Sequence, residues 1–155
     1  MSTGSKLKIY SDSSIFTEKL GEIIGSNLKG GEVVELSSDL GGGKTTFVRG
    51  FSRGGGSKDH VSSPTFTISK IYKCRKFEIN HYDFYRLNEP GLVKEELSEI
   101  LKDTNSVTII EWAGIIKDVL PENTFNISIQ HKSENSRQIT ISYSENTKYL
   151  LAGIL

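Results

Sequence analysis

The chain has 155 residues, of which 35% are hydrophobic and 25% charged. That composition suits a single domain over 1–155 with one core. Lys and Arg total 19, as do Asp and Glu, so the net charge is zero and argues against a protein that grips nucleic acid through its own basic excess. No apolar run approaches the roughly 20 residues of a membrane span. The first ten residues also lack the apolar core of a signal peptide, so no membrane association and a cytoplasmic location are expected. The single Cys74 cannot form an internal disulfide, in keeping with a reducing compartment.

Residues 7–10 alternate and predict a short strand. Residues 11–14 offer helix caps. Phe16, Leu20, Ile23, Ile24 and Leu28 then follow at helical spacing, a stripe expected to pack on a sheet. Gly30 and Gly31 are expected to stop that helix. Residues 33–37 are apolar and β-branched and read as a buried strand. The run S-D-L-G-G-G-K-T-T at 38–46 comes next, and residues 45–51 can open a helix.

Strand, glycine loop and helix form the context that a phosphate-binding loop requires. Glycines at 41, 42 and 43 can turn consecutive N–H groups inward around one anion. The helix N-terminus adds a partial charge of roughly +0.5. Lys44 can reach β- and γ-phosphates, and the Thr45 hydroxyl can ligate Mg²⁺. The pattern G-x-x-x-x-G-K-[ST] has Ser38 at its first position here. Serine resists positive φ, so the first turn of the loop departs from the pattern. The bland alternative is a flexible glycine loop that happens to precede Lys-Thr.

Residues 52–59 are glycine-rich and polar and predict a mobile connection. Thr65, Thr67, Ile68, Ile71 and Tyr72 predict a strand, residues 73–76 a turn, and residues 77–83 a second, alternating strand. Together they predict an antiparallel hairpin. Lys70, Lys73, Arg75 and Lys76 on it are a solvated face or a local basic patch. Leu92, Val93, Leu97, Ile100 and Leu101 mark a helix. Residues 107–112 are nearly all apolar and read as a buried central strand. A short helix over 115–120 ends at Pro121. Residues 124–130 and 137–143 alternate as a second hairpin. The apolar tail, 148–155, is expected to dock on the body or on a partner. The fold class expected is α/β, three-layered, with a mixed central sheet and antiparallel hairpins.

Phosphoryl transfer to water needs a metal, a carboxylate near it and a group that orients the water. Glu111 ends the buried run and is costly to place there without a partner such as Mg²⁺; otherwise it is a strand-end glutamate facing solvent. Asp83 ends the hairpin, and the spacing puts His81, Asp83 and Tyr85 on one face if the strand persists. The alternative is a surface face of that hairpin.

Four motifs in order, D-L-G-G-G-K-T-T at 39–46, S-P-T-F at 63–66, H-Y-D-F-Y-R-L at 81–87 and I-E-W-A at 110–113, resemble the TsaE family, also called YjeE. These are small P-loop ATPases of bacterial tRNA threonylcarbamoyladenosine synthesis, and the resemblance runs from about residue 11 to 143. It implies that Leu40, Gly41, Gly42, Gly43, Lys44, Thr45 and Thr46 hold the ATP phosphates, with Lys44 acting through its side chain. It implies Thr45, Thr65 and Glu111 at Mg²⁺, with 63–66 as a switch-like segment near the γ-phosphate. Asp83 matches the aspartate needed for hydrolysis, Glu111 the acidic residue after the buried strand, and Trp112 its aromatic neighbour. The implied partners are TsaD and TsaB, whose turnover on adenosine 37 of tRNAs reading ANN codons the hydrolysis supports. Contact with tRNA is then indirect, and the chain does not form the threonylcarbamoyl bond itself.

Two other readings use the same loop. A small-molecule kinase would need an acceptor pocket and an arginine-rich lid, and the arginines here are scattered. A nucleotide-gated binding module with little catalysis would suit the glycine-rich stretch, the segment 63–66 and the apolar tail.

Overall fold

The computed structural model describes residues 4–39 and 43–155. In chain order the elements are β1 (Ser5–Ser11), α1 (Ser14–Ser26), β2 (Val33–Ser38), α2 (Lys44–Gly54), β3 (Ser69–Lys73), β4 (Glu78–Asp83), α3 (Gly91–Ile100), β5 (Ser106–Glu111), β6 (Phe125–His131) and β7 (Arg137–Tyr143). Two 3₁₀ stretches, Ala113–Val119 and Lys148–Leu151, follow β5 and β7. The strands form one mixed seven-stranded sheet in the order β1-β7-β6-β2-β5-β4-β3. The chain is therefore α/β, as its alternation of strand and helix patterns predicts.

β2 pairs in parallel with both β5 and β6, and β5 in parallel with β4. The C-terminal ends of β2, β5 and β4 consequently lie at one end of the sheet, where open α/β sheets hold their ligands. The outer pairs β1–β7, β6–β7 and β3–β4 are antiparallel, so both expected hairpins form. Side chains alternate across the sheet. Val34, Leu36, Ile79, Val107 and Ile109 belong to the core under α1 and α2. Val33, Tyr82 and Ile110 belong to the opposite core, with Leu97 of α3 and Ile116. These are the three layers.

Of the stripe expected of α1, Leu20, Ile24 and Leu28 are buried, and Phe16 and Ile23 are not. Ser13 caps the helix by accepting the Phe16 N–H, and the buried positions are Thr17, Leu20, Gly21, Ile24 and Gly25. Phe16 is exposed. The cause is α2, which lies directly against α1. A Cβ built on Gly25 would stand 2.1 Å from the Phe51 carbonyl oxygen, and one on Gly50 would stand 1.9 Å from that of Glu18. The crossing is close enough for backbone to touch backbone, which only glycine permits. Along its exposed edge Arg53 pairs with Glu18 and Glu22, each at 2.9 Å. The Arg53 bond holds the Glu22 carboxyl below its usual range.

The region expected to be a mobile connection begins inside α2, which runs through Gly54. The first helix stops at Ser26, before Gly30. Asn27 beyond it donates through Nδ2 to the carbonyls of Leu150 and Ala152 at 3.0 and 2.9 Å. That bond fastens the tail, whose Leu150 and Leu151 are fully buried in the body. The short helix expected over 115–120 is 3₁₀ and starts at Ala113. Among the described residues no helix is long and apolar enough to cross a membrane.

Candidate functional site

Three chain segments leave the C-terminal end of the sheet and frame one cleft of about 250 Å³. Its lining includes Gly43, Lys44, Thr45, Thr46, Ser63, Thr65, Asp83, Tyr85, Glu111 and Trp112. Leu40, Gly41 and Gly42 of the glycine loop lie outside the described residues. Ser38, at the position where the loop pattern has glycine, is the last residue of β2 and pairs with Ile129. Its backbone is therefore strand, and no positive φ is asked of it. Gly43 does need to be glycine, because its φ of +104° is open to few other residues. It caps α2, and its carbonyl accepts the Phe47 N–H at 3.0 Å. The helix thus begins at Lys44, one residue earlier than expected, and its first amides have no intrahelical acceptor. Those amides and the positive end of the helix dipole face the cleft.

The acidic residues come from neighbouring strands. Asp83 ends β4, Glu111 ends β5, and the two are direct partners in the parallel register. Both are buried, with 3% and 2% exposure, so neither is the solvent-facing residue of the bland reading. A buried carboxylate must be compensated. Asp83 accepts from the Thr65 hydroxyl at 2.8 Å through Oδ2 and from the Tyr85 N–H at 2.9 Å through Oδ1. Glu111 Oε1 lies 3.8 Å from Lys44 Nζ, and Oε2 lies 2.5 Å from His81 Nε2. The Lys44 ammonium also sits over the Trp112 ring, 5.2 Å from its centre.

The segment carrying Thr65 differs from the strand expected there. Residues 65–67 form a turn, and β3 starts at Ser69. The Pro64 carbonyl accepts from the N–H groups of both Thr67 and Ile68, which curls the chain. Ile68 then takes a φ of +69°, an outlier for a β-branched residue. Its carbonyl accepts the Asp83 N–H at 2.8 Å, so the kinked turn is tied to the end of β4. Trp112, immediately after Glu111, is also left-handed, with φ 58° and ψ 54°. Left-handed non-glycine residues cost of order 1–3 kcal/mol each and gather at functional sites.

The strand β4 ends at Asp83, so His81, Asp83 and Tyr85 do not form one continuous strand face. His81 and Asp83 share the side toward α2. Tyr85 reaches the cleft through the turn that Asp83 caps and packs on Trp112 with ring centres 4.9 Å apart. Behind the cleft, Tyr72 of β3 bonds His81 Nδ1 at 3.0 Å and donates to the Ser62 carbonyl at 3.1 Å. Burial, reinforced by the Glu111 charge, pushes the Tyr72 hydroxyl up to about 12, so it stays protonated at neutral pH. Neither the Tyr72 nor the His81 contact was legible in advance. His81 and Glu111 are 30 residues apart, and although Tyr72 and His81 share the expected hairpin, their contact depends on its register.

The donor set is made of hard oxygens (two carboxylates and the hydroxyls of Thr45 and Thr65) facing a lysine and a helix N-terminus. Mg²⁺ takes such oxygens, in combination with phosphate and water, and phosphate takes the lysine and the amides.

A family model described as "Threonylcarbamoyl adenosine biosynthesis protein TsaE" matches residues 11–139. The chain belongs to the TsaE family. TsaE of Bacillus subtilis is 35% identical over 127 residues, covering 81% of this chain and 78% of that protein. TsaE of Treponema pallidum is 32% identical over 136 residues, covering 88% and 100%. Both relatives are named tRNA threonylcarbamoyladenosine biosynthesis proteins. The crystal structure of Bacillus subtilis YdiB superposes with a TM-score of 0.74 and 28% identity, over 99% of this chain and 95% of that one. The resemblance read from the four motifs is thereby established at the level of the TsaE family and its fold.

Proposed function

We propose that this TsaE-family chain is a Mg²⁺-dependent ATPase whose hydrolysis supports turnover of a TsaD–TsaB complex on tRNA. The observation that carries this reading is the register of β4 and β5. It sets Asp83 beside Glu111, and both belong to the cleft that Lys44 and Thr45 line. When bound, ATP would supply the scissile phosphoanhydride bond, and Mg²⁺ the charge that offsets its oxygens.

The protein's own residues have separable tasks. Lys44 and the first amides of α2 would hold phosphate oxygens, with Leu40, Gly41, Gly42 and Gly43 completing the loop and Thr46 at its end. Thr45, Thr65 and Glu111 would hold the metal. Asp83 has both oxygens engaged by Thr65 and Tyr85, yet each oxygen keeps a second lone pair. It can accept a proton-bearing water without giving up either bond, which suits a group that orients the nucleophile. The neutral charge fits a subunit that leaves most of the tRNA grip to its partners, and cytoplasmic residence follows from that task.

ATP turnover by the chain alone and with TsaD and TsaB tests the reading. A clear rise on assembly is expected, and Lys44→Ala or Asp83→Ala should abolish it. Full multiple-turnover activity in either variant would refute these roles. One observation favours a second use of the same site. Tyr85 and Trp112, which line the cleft, are 46% and 40% exposed, and Phe66, next to the lining Thr65, is 80% exposed, aromatic surface that suits a nucleotide-gated binding module. Tight ATP binding with no hydrolysis, alone or assembled, would select that alternative.

A further inference from the structure

His81 is fully buried, so nothing that enters the cleft can touch it. It nevertheless makes the closest contact of Glu111, at 2.5 Å from Oε2. Among the described residues the other charged partner of Glu111, Lys44 Nζ, is 3.8 Å away, beyond hydrogen-bond range. A lysine that turns to phosphate would leave His81 as the carboxylate's remaining partner among the described residues. A glutamate side chain has three rotatable bonds, and its aim is set by whatever holds its oxygens. The imidazole is fixed from behind by Tyr72, whose hydroxyl lies 3.0 Å from Nδ1 and donates to the Ser62 carbonyl. Ser62 immediately precedes the segment in which Ser63 bonds Thr65 at 2.7 Å and Thr65 bonds Asp83 at 2.8 Å. Lys70 of β3 also donates to the Ser62 side chain. The line from Glu111 through His81 and Tyr72 therefore ends on the same stretch of chain that holds Asp83.

We propose that His81 is a positioning residue for hydrolysis: it aims Glu111 into the cleft, and Tyr72 carries that setting to Ser62. Through this line the carboxylate and the segment bearing Thr65 are set together. The inference rests on the ATPase reading above. Its contribution is a residue that acts through Glu111 and through no ligand of its own.

The test is steady-state hydrolysis by the assembled complex, with nucleotide affinity measured separately by calorimetry using ADP without Mg²⁺. His81→Ala should lower kcat by about 10–100-fold, the usual effect of removing a group that orients a ligand-holding side chain. ADP affinity without Mg²⁺ should stay within about threefold, because the phosphate contacts remain, while the Mg²⁺ needed for half-maximal rate should rise. His81→Gln, whose amide nitrogen can still donate to Glu111, should recover most of the loss. Tyr72→Phe keeps the ring and removes only the hydroxyl, so it serves even if His81→Ala does not fold. A fall in its kcat of roughly 3–10-fold at unchanged ADP affinity without Mg²⁺ is expected, smaller than that of His81→Ala because one bond to the ring is lost. Hydrolysis by the unsubstituted complex that both His81→Ala and Tyr72→Phe leave intact would overturn this inference alone. Equal loss in His81→Gln and His81→Ala, or a loss confined to KM, would do the same. Absence of hydrolysis by the unsubstituted complex would overturn the ATPase reading and this inference together.

Discussion

Gly50→Ala separates two principles that predict opposite signs. Helix propensity alone favours alanine over glycine inside a helix by about 1 kcal/mol, so α2 should gain stability. The crossing with α1 says otherwise. The new Cβ would stand 1.9 Å from the Glu18 carbonyl oxygen and 3.0 Å from the Glu22 nitrogen. Ordinary contact needs about 3.5 Å, so the two helices would have to separate by roughly 1.5 Å. Both obstacles are backbone and cannot rotate away. Overpacking costs typically 1–3 kcal/mol; the rigid obstacle argues for about 3, and subtracting the propensity gain leaves roughly 2 kcal/mol of destabilisation. For a domain of this size that is a fall in Tm of about 4–8 °C. Thermal unfolding followed by circular dichroism reads it. Gly114→Ala is the control, since among the described residues a Cβ there meets nothing within 4 Å, and it should leave Tm nearly unchanged. A Tm for Gly50→Ala equal to or above that of the unsubstituted chain would refute the close crossing.

Two further outcomes follow from particular contacts. Asn27→Ala removes both side-chain bonds to the Leu150 and Ala152 carbonyls, which should cost about 1–2 kcal/mol; amides at 150–155 should then exchange with solvent faster, and unchanged exchange would contradict the anchoring of the tail. Burial, and then the Asp59 charge, pushes the Cys74 thiol from 9.0 up to about 11. The fold therefore favours the neutral thiol. Its contribution to stability is complete below pH 9 and is lost as pH rises from about 9 toward 11. At pH 8 the folded thiolate fraction should be about 100-fold below that of an ordinary thiol. Alkylation by iodoacetamide should accordingly be far slower in the folded chain than in urea, and equal rates would refute the half-buried setting.

What could be read in advance was whatever the apolar pattern reports directly. Val33, Val34 and Leu36 are buried on both sides of the sheet, as is the whole of 107–111, so β2 and β5 announce themselves. The alternation in β6 and β7 does the same for a half-covered pair. Glycines are silent in such a pattern, so the apolar stripe of α1 marks Leu20, Ile24 and Leu28 and leaves out the rest of the buried face. That rest is set by Gly21 and Gly25, against the Phe47 and Phe51 backbone, and by Gly50 and Gly54 of α2, against that of Glu18 and Glu22. The spacing of four in both helices was the available sign. The start of β3 failed for a different reason. Thr65, Thr67 and Ile68 favour extended backbone locally, but the Pro64 carbonyl and the end of β4 bind that stretch as a turn. Tertiary contacts there outweigh the preference of Ile68, a sign that the turn serves the cleft.

The cleft itself shows where a linear reading stops. Alternation puts His81 and Asp83 on one face of β4, and the buried run puts Glu111 at the end of β5. Neither says which residues become neighbours. That depends on register, and a slip of one residue would set Tyr82 beside Glu111 and turn the imidazole away. The pair is locked at both ends. The Glu78 N–H donates to the Asn105 carbonyl at 3.0 Å, and the Phe84 N–H donates to the Glu111 carbonyl at 3.1 Å. Between those bonds Asp83 must face Glu111, and His81, two residues back on the same side, must lie behind it. The hydrophobic pattern thus decides that two carboxylates can be buried near the loop. The hydrogen bonds at the ends of two strands decide that they are buried together and that a histidine stands behind one of them.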